Sequence, residues 1–128
     1  MSSEASQQAA SIVDSIQKVT VVGAGTMGNG IAQVFATSGF PVTIIDPFEA
    51  SLERARGAID NSLGRMVKKE KISADDAQSI LGRVSFETSL TAAKGSQWAV
   101  EAIPEEEKLK GYPLKGSVWS EGMRWYFS

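Results

Sequence analysis

The segment Val19–Gly30, "VTVVGAGTMGNG", places a β-branched apolar run directly before a glycine-rich stretch. A run of this kind, bounded by glycine, is typical of a buried strand. Gly23, Gly25 and Gly28 then have the spacing G-x-G-x-x-G, and apolar residues recur at helical spacing from Thr26 to Ser38. We therefore predict a strand, a tight glycine turn and a helix in immediate succession.

This turn has the pattern of a dinucleotide site. The first glycine permits the tight turn, the second lets a pyrophosphate approach the backbone, and the third lets the helix pack close to the strand. Asp46 follows Gly28 by eighteen positions and ends a second predicted strand, "PVTIID". An acid there accepts hydrogen bonds from ribose hydroxyls and repels a 2′-phosphate, which favours NAD over NADP. The predicted cofactor-binding residues of this region are Gly23, Ala24, Gly25, Thr26, Met27, Gly28 and Asp46. The alternative is a strand-to-helix turn that holds no ligand.

The following residues continue the alternation of strands and helices. Gly39 stands where the first helix should end, and Pro47–Lys71 has the apolar stripe of a long helix. Ser73 is a plausible N-cap for a further helix, Ala74–Leu81, and two short strands, "RVSFET" and "WAVEAI", come next. This order predicts an α/β fold with a Rossmann-type, doubly wound parallel sheet and a helical hairpin after the second strand.

Composition excludes several classes of function. Thirteen Lys and Arg against fifteen Asp and Glu give a net charge of −2, without the basic excess of a nucleic-acid binder. No apolar run approaches the roughly 20 residues of a membrane-spanning helix, so no membrane partner is expected. The 128 residues contain no Cys, hence no disulfide or thiolate metal site, and we expect no metal. They also contain no His, so the chain either uses Asp, Glu or Lys with a strongly shifted pKa for proton transfer or carries out no proton transfer at all.

Residues 1–17 are predicted to form a flexible leader ahead of the first strand. They are polar and contain no Arg or Lys, which fits neither a secretory signal nor an organelle transit peptide. We expect a cytoplasmic location on this basis.

Three stretches together resemble one enzyme family. They are "KVTVVGAGTMGNGIAQVFATSGFPVTIIDPFEASLERA", "NSLGRMVKKEKIS" and "WAVEAIPEEEKLK", and they are similar to the N-terminal part of a (S)-3-hydroxyacyl-CoA dehydrogenase of fatty-acid β-oxidation. The resemblance implies an NAD-binding domain over residues 18–110 and the reaction of 3-hydroxyacyl-CoA with NAD⁺ to give 3-oxoacyl-CoA and NADH. It also leaves a mitochondrial or peroxisomal location open. The 6-phosphogluconate-like dehydrogenases often carry Asn-Arg in place of the acid, so Asp46 argues against them.

The resemblance implies further ligand contacts. Glu105 and Lys110 match positions near the nicotinamide end of the cofactor, and Ser62 and Lys69 match positions that meet coenzyme A. The alternative for the first pair is a charged surface turn. For the second pair it is a basic helix end, since lysines there are favoured by the helix dipole without any ligand.

The chain departs from the family after Lys110. The family's His and Glu acid/base pair and its all-helical substrate and dimerisation domain do not follow, and residues 111–128 show neither strand nor helix periodicity. Five of the ten aromatic residues lie in this tail. We expect the tail to come from a shifted frame, an alternative exon or a wrongly assigned gene end. A tail that docks over the sheet edge is the alternative.

An incomplete sheet follows from this departure. In the strand order 3-2-1-4-5-6, a chain that stops after "WAVEAI" leaves that strand as an unpaired edge, which a protein partner could cover. We expect a truncated NAD-binding portion of the dehydrogenase that is not catalytic alone. The alternatives are a non-catalytic NAD-binding or interaction module and one subunit of a split dehydrogenase.

Overall fold

A computed structural model describes residues 18–102 and 124–127. Its strands are β1 (Val19–Val22), β2 (Val42–Ile45), β3 (Val84–Glu87), β4 (Trp98–Glu101) and β5 (Arg124–Phe127). Its α-helices are α1 (Thr26–Thr37), α2 (Glu49–Lys68) and α3 (Ala74–Gly82), and a short 3-10 helix spans Leu90–Ala93. No helix in these two ranges is long and apolar enough to cross a membrane.

The five strands form one parallel sheet in the order β3-β2-β1-β4-β5. The register aligns Val22, at the end of β1, with Ile45 of β2 and with Glu101 of β4. The carboxyl ends of the central strands therefore meet at one edge of the sheet. From β1 the chain adds β2 and β3 on one side of the sheet and then β4 on the other side. In open α/β sheets, ligands bind at the point where the strand order reverses in this way. The predicted Rossmann-type fold is confirmed.

The main core lies between one face of the sheet and the three helices. Strands β1 and β2 are buried at every position, as expected for parallel strands covered on both faces. The helices contribute the apolar stripes that their periodicity predicted. Fully or nearly fully buried members of this core include Val19, Val21, Ala32, Ala36, Val42, Ile44, Ala55, Ile59 and Leu63. On the other face, Ile45 packs with Ala93 of the 3-10 helix.

The ends of α1 and α2 share one geometry. Gly39 has φ of +98°, and the N–H of Phe40 donates to the carbonyl of Phe35 at 3.0 Å across the turn. The rings of those two phenylalanines pack edge to face at 6.2 Å between centroids, so α1 ends as predicted, with a glycine in the left-handed region. The same turn ends α2, with Glu70 at φ of +58° after the C-cap residue Lys69.

The long helix is shorter than the sequence predicted. It begins at Glu49 and not at Pro47, because Phe48 keeps an extended backbone as the N-cap. Ser73 caps α3 as predicted, and it does so in a reciprocal capping box with Asp76.

The expectation of an unpaired edge at β4 is wrong. Arg124–Phe127 pairs in parallel with β4, in a register that sets Trp98 against Arg124 and Glu101 against Phe127. Three consecutive aromatic residues have the high β-propensity that an edge strand needs, although they show no alternation with polar residues. The alternative of a tail that docks on the sheet edge is confirmed for these four residues, and the reason to expect a protein partner over β4 is removed.

Candidate functional site

The turn between β1 and α1 begins with a glycine that the backbone requires. Gly23 has φ of +108°, a region that residues with a side chain rarely adopt. Its N–H donates to the carbonyl of Ile45 at 2.7 Å, which holds the start of the turn against the end of β2. The first glycine of the motif therefore has the role that its position predicted.

The third glycine sets how close α1 lies to the turn. A Cβ atom on Gly28 would lie 1.8 Å from the carbonyl oxygen of Gly23 and 3.5 Å from the side chain of Val21. No side chain fits there unless the helix moves. Gly28 is therefore a packing residue between α1 and β1.

The second glycine faces open space. Gly25 is the N-cap of α1, with φ of −69° and ψ of −171°, a conformation that any residue adopts. A Cβ atom at this position would have no atom of residues 18–102 within 4 Å. Neither backbone strain nor packing against the described residues requires glycine here, so the position is open beside the start of α1.

The N-terminus of α1 is suited to an anion. The first N–H groups of a helix have no acceptor within it, and they carry a partial positive charge. The N-cap residue Gly25 has no side chain that could accept from these N–H groups, and the first turn of α1 contains no acidic residue. Thr26 and Met27, at its start, are exposed, Met27 by 57%.

Asp46 connects the glycine turn to α2. Its Oδ2 accepts a hydrogen bond from the N–H of Ala24 at 3.0 Å, and its Oδ1 accepts one from the N–H of Phe48 at 3.0 Å. The residue is only 5% exposed. Sequence reasoning placed this carboxylate correctly at the end of β2 but missed its structural role, because nothing in the sequence indicates a contact with Ala24.

The two residues predicted to meet coenzyme A lie farther along α2. Roughly 20 Å of helix separates its start at Glu49 from Ser62, at about 1.5 Å per residue. Ser62 is half-buried, and its Oγ accepts a hydrogen bond from Nε2 of Gln33, on α1, at 2.9 Å. Lys69 is exposed at the C-cap. Glu105 and Lys110 lie outside the described residues.

Glu101 is a buried carboxylate that the sequence analysis did not single out. It is 0% exposed at the carboxyl end of β4, beside Val22 of β1. The signal for it was a charged residue in the otherwise apolar strand "WAVE". Glu101 and Asp46 thus end the two strands that flank β1.

Comparison with known proteins identifies a family. Residues 18–115 match the family model described as "3-hydroxyacyl-CoA dehydrogenase, NAD binding domain". The chain is 43% identical over 93 residues to a protein of Deinococcus radiodurans named "Probable 3-hydroxybutyryl-CoA dehydrogenase", and this match covers 73% of the chain and 33% of the relative. The human mitochondrial hydroxyacyl-coenzyme A dehydrogenase is 36% identical over 120 residues, with 89% of the chain and 38% of the relative covered.

A solved structure agrees in fold. The crystal structure of (S)-3-hydroxybutyryl-CoA dehydrogenase from Ralstonia eutropha superposes with a TM-score of 0.82 at 36% identity, covering 88% of this chain and 41% of that chain. The chain thus spans about a third of the length of the curated relatives that it matches.

The glycine geometry predicts losses of stability of different size for the same substitution at Gly28 and at Gly25. We expect Gly28→Ala to lower the free energy of unfolding by about 1–3 kcal/mol, because its methyl group overlaps the Gly23 carbonyl. Gly25→Ala should cost less than about 1 kcal/mol, the difference between glycine and alanine as N-cap. Urea denaturation followed by circular dichroism measures both. Equal losses, or a larger loss at Gly25, would contradict the division of roles between the two glycines.

Proposed function

Because the chain belongs to the 3-hydroxyacyl-CoA dehydrogenase family, we propose that it forms the NAD-binding part of an enzyme that oxidises (S)-3-hydroxyacyl-CoA thioesters. The reaction converts 3-hydroxyacyl-CoA and NAD⁺ to 3-oxoacyl-CoA and NADH, a step of fatty-acid β-oxidation. The observation that carries the proposal is the open space at Gly25 beside the N-terminus of α1. A pyrophosphate in that space accounts for a residue without a side chain at the start of the helix.

The turn fits a dinucleotide phosphate in charge as well as in shape. The backbone from Gly23 to Gly28 bends around the start of α1, where N–H groups without helical acceptors favour an anion. Ala24, Thr26 and Met27 complete this segment of the proposed cofactor site. The N–H of Ala24 is already held by Asp46, which fixes the turn before the cofactor arrives.

Asp46 is the proposed contact for the adenosine ribose. A carboxylate has about four lone-pair positions, and two backbone N–H groups use two of them. The remaining positions can accept the ribose hydroxyls, and the negative charge disfavours the 2′-phosphate of NADP. The same side chain would then shape the turn and select the cofactor.

The other end of the cofactor carries the chemistry, since bound nicotinamide accepts the hydride from C3 of the substrate. Glu105 and Lys110 are the proposed contacts near the nicotinamide, on the strength of the family resemblance alone. The residues of the described turn bind and orient the adenosine half.

Ser62 and Lys69 are the proposed contacts for coenzyme A. Seven residues on a helix correspond to about two turns, so both side chains lie near one face of α2. Arg65 and Lys68 add positive charge to the last turn of the helix. This basic helix end can attract the phosphates of coenzyme A, in addition to its favourable interaction with the helix dipole.

The proposal assigns no catalytic residue to this chain. Removal of the 3-hydroxyl proton needs a base with a pKa near the working pH, and the 128 residues contain no His. Activity would then require the acid/base pair from other residues of the enzyme, whether in the same polypeptide or in a second one. The cytoplasmic location predicted from residues 1–17 stays a prediction, and the human relative carries the word mitochondrial in its name.

The proposal predicts that Gly25→Val abolishes NAD binding without unfolding the protein. The side chain would fill the space proposed for the pyrophosphate, and its Cβ would have no atom of the described residues within 4 Å. Gly57→Val is a matched control, because Gly57 is exposed on α2 and a Cβ there also meets nothing within 4 Å. Isothermal titration with NAD, together with thermal melts, measures both variants. NAD binding by the Gly25 variant at wild-type affinity would overturn the pyrophosphate assignment.

The proposal also predicts that these 128 residues alone do not turn over substrate. A general base contributes typically 10²–10⁴-fold in rate, and positioning of the substrate contributes at least as much. The purified chain mixed with NAD and a 3-hydroxyacyl-CoA should give no NADH absorbance above a protein-free control. NADH formation that Gly25→Val abolishes would show that the chain already holds a complete active site.

A further inference from the structure

A single glutamine side chain links α1 to α2 beside the proposed coenzyme A residues. Gln33 is half-buried on α1, and its Nε2 lies 2.9 Å from Oγ of Ser62 and 3.9 Å from Sδ of Met66. Ser62 and Met66 occupy positions i and i+4 of α2, and the C-cap residue Lys69 follows at i+7, so the three lie toward one face of the helix. Gln33 therefore touches the same face that carries the proposed phosphate contacts.

The methionine determines which way the amide of Gln33 is oriented. A thioether sulfur accepts hydrogen bonds and has no proton to donate, so the Nε2 of Gln33 and not its Oε1 belongs on the Met66 side. The same nitrogen then donates its other proton to Ser62. With its oxygen acting as acceptor toward Gln33, the hydroxyl of Ser62 has to donate its own proton in another direction.

We propose that Gln33 is a positioning residue that fixes the Ser62 hydroxyl as a hydrogen-bond donor to a phosphate oxygen of coenzyme A. The inference rests on the proposed assignment of Ser62 and Lys69 to coenzyme A. A phosphate accepts hydrogen bonds and, when ionised, donates none, so a hydroxyl that is held as a donor suits it. Without Gln33 the hydroxyl can rotate and place its lone pairs toward the phosphate.

An open groove of about 450 Å³ lies beside Gln33. Gln33, Met66 and residues of α1 line it, whereas Ser62 and Lys69 are not part of its walls. Lys69, at the end of α2, supplies a flexible point charge that attracts a phosphate without fixing its direction. The Ser62 hydroxyl, held as a donor by Gln33, would fix the direction of the phosphate oxygen, which the lysine alone does not.

Titration of the chain with coenzyme A tests the inference through a double-mutant cycle. The variants are Ser62→Ala, Gln33→Met and the double variant, with Gln33→Met chosen because methionine keeps the length of the side chain and removes both donors. We expect each single variant to bind coenzyme A about fivefold more weakly, the loss of one hydrogen bond. The double variant should bind no more weakly than the weaker single variant, because both substitutions remove the same interaction.

Two controls separate positioning from damage to the fold. Gln78 is exposed on α3, so Gln78→Met should leave coenzyme A affinity unchanged. NAD affinity should stay at the wild-type value in every variant, because Gln33 lies in the second half of α1, beyond the turn proposed for the pyrophosphate. Gln33→Glu gives a second test at position 33, since an ionised carboxylate has to accept the Ser62 proton and should also weaken binding.

The outcomes distinguish this inference from the proposed function. If Ser62→Ala weakens coenzyme A binding and Gln33→Met does not, the positioning role is wrong and the coenzyme A assignment stands. If the double variant loses coenzyme A affinity by the product of the two single-variant factors, the two side chains act independently and the positioning role is likewise wrong. If neither Ser62→Ala nor Lys69→Ala changes the affinity, the coenzyme A assignment fails and the inference fails with it.

Discussion

The hydrogen bonds of the Asp46 carboxylate hold the proposed site together. One oxygen accepts the N–H of Ala24 in the glycine turn, and the other accepts the N–H of Phe48 ahead of α2. The end of β2, the turn after β1 and the start of α2 are thereby fixed to one another by a buried side chain. Hydrogen bonds to an ionised acceptor are stronger than neutral ones, so this acid stabilises the turn before any ligand is bound. A cofactor that uses its remaining lone pairs meets a preorganised surface.

The parallel register makes this arrangement possible. Because β1, β2 and β4 end level with one another, the turn, Asp46 and Glu101 lie along a single edge of the sheet. The two outer glycines of the motif then serve the backbone, Gly23 through its positive φ and Gly28 through close packing. Gly25 has neither of these roles, so a substitution there tests a ligand contact with little effect on the fold.

The sequence predicted the parts of the fold that depend on local patterns. The β-branched runs, the glycine spacing and the caps at Gly39 and Ser73 are read from neighbouring residues, and the structure confirms them. Contacts between distant residues were missed or, for the docked tail, predicted only as an alternative. The contact between Gln33 and Ser62 joins two helices across 29 positions, and β5 pairs with β4 from the far end of the chain. Neither contact leaves a periodic signal, because each depends on where the folded sheet and helices bring the residues. The predicted contacts of Glu105 and Lys110 stay predictions, since both residues lie outside the described ranges.

The most direct test is cofactor discrimination by the unmodified chain. The central claim is that Asp46 shapes the turn and accepts the ribose hydroxyls of NAD, while its charge repels a phosphate at the same place. Isothermal titration of the 128-residue protein with NAD and with NADP, in one buffer of low ionic strength, measures this preference. We expect NAD to bind at least about tenfold more tightly, a difference of about 1.4 kcal/mol. Equal affinities, or tighter binding of NADP, would contradict the role of Asp46 in selecting the cofactor.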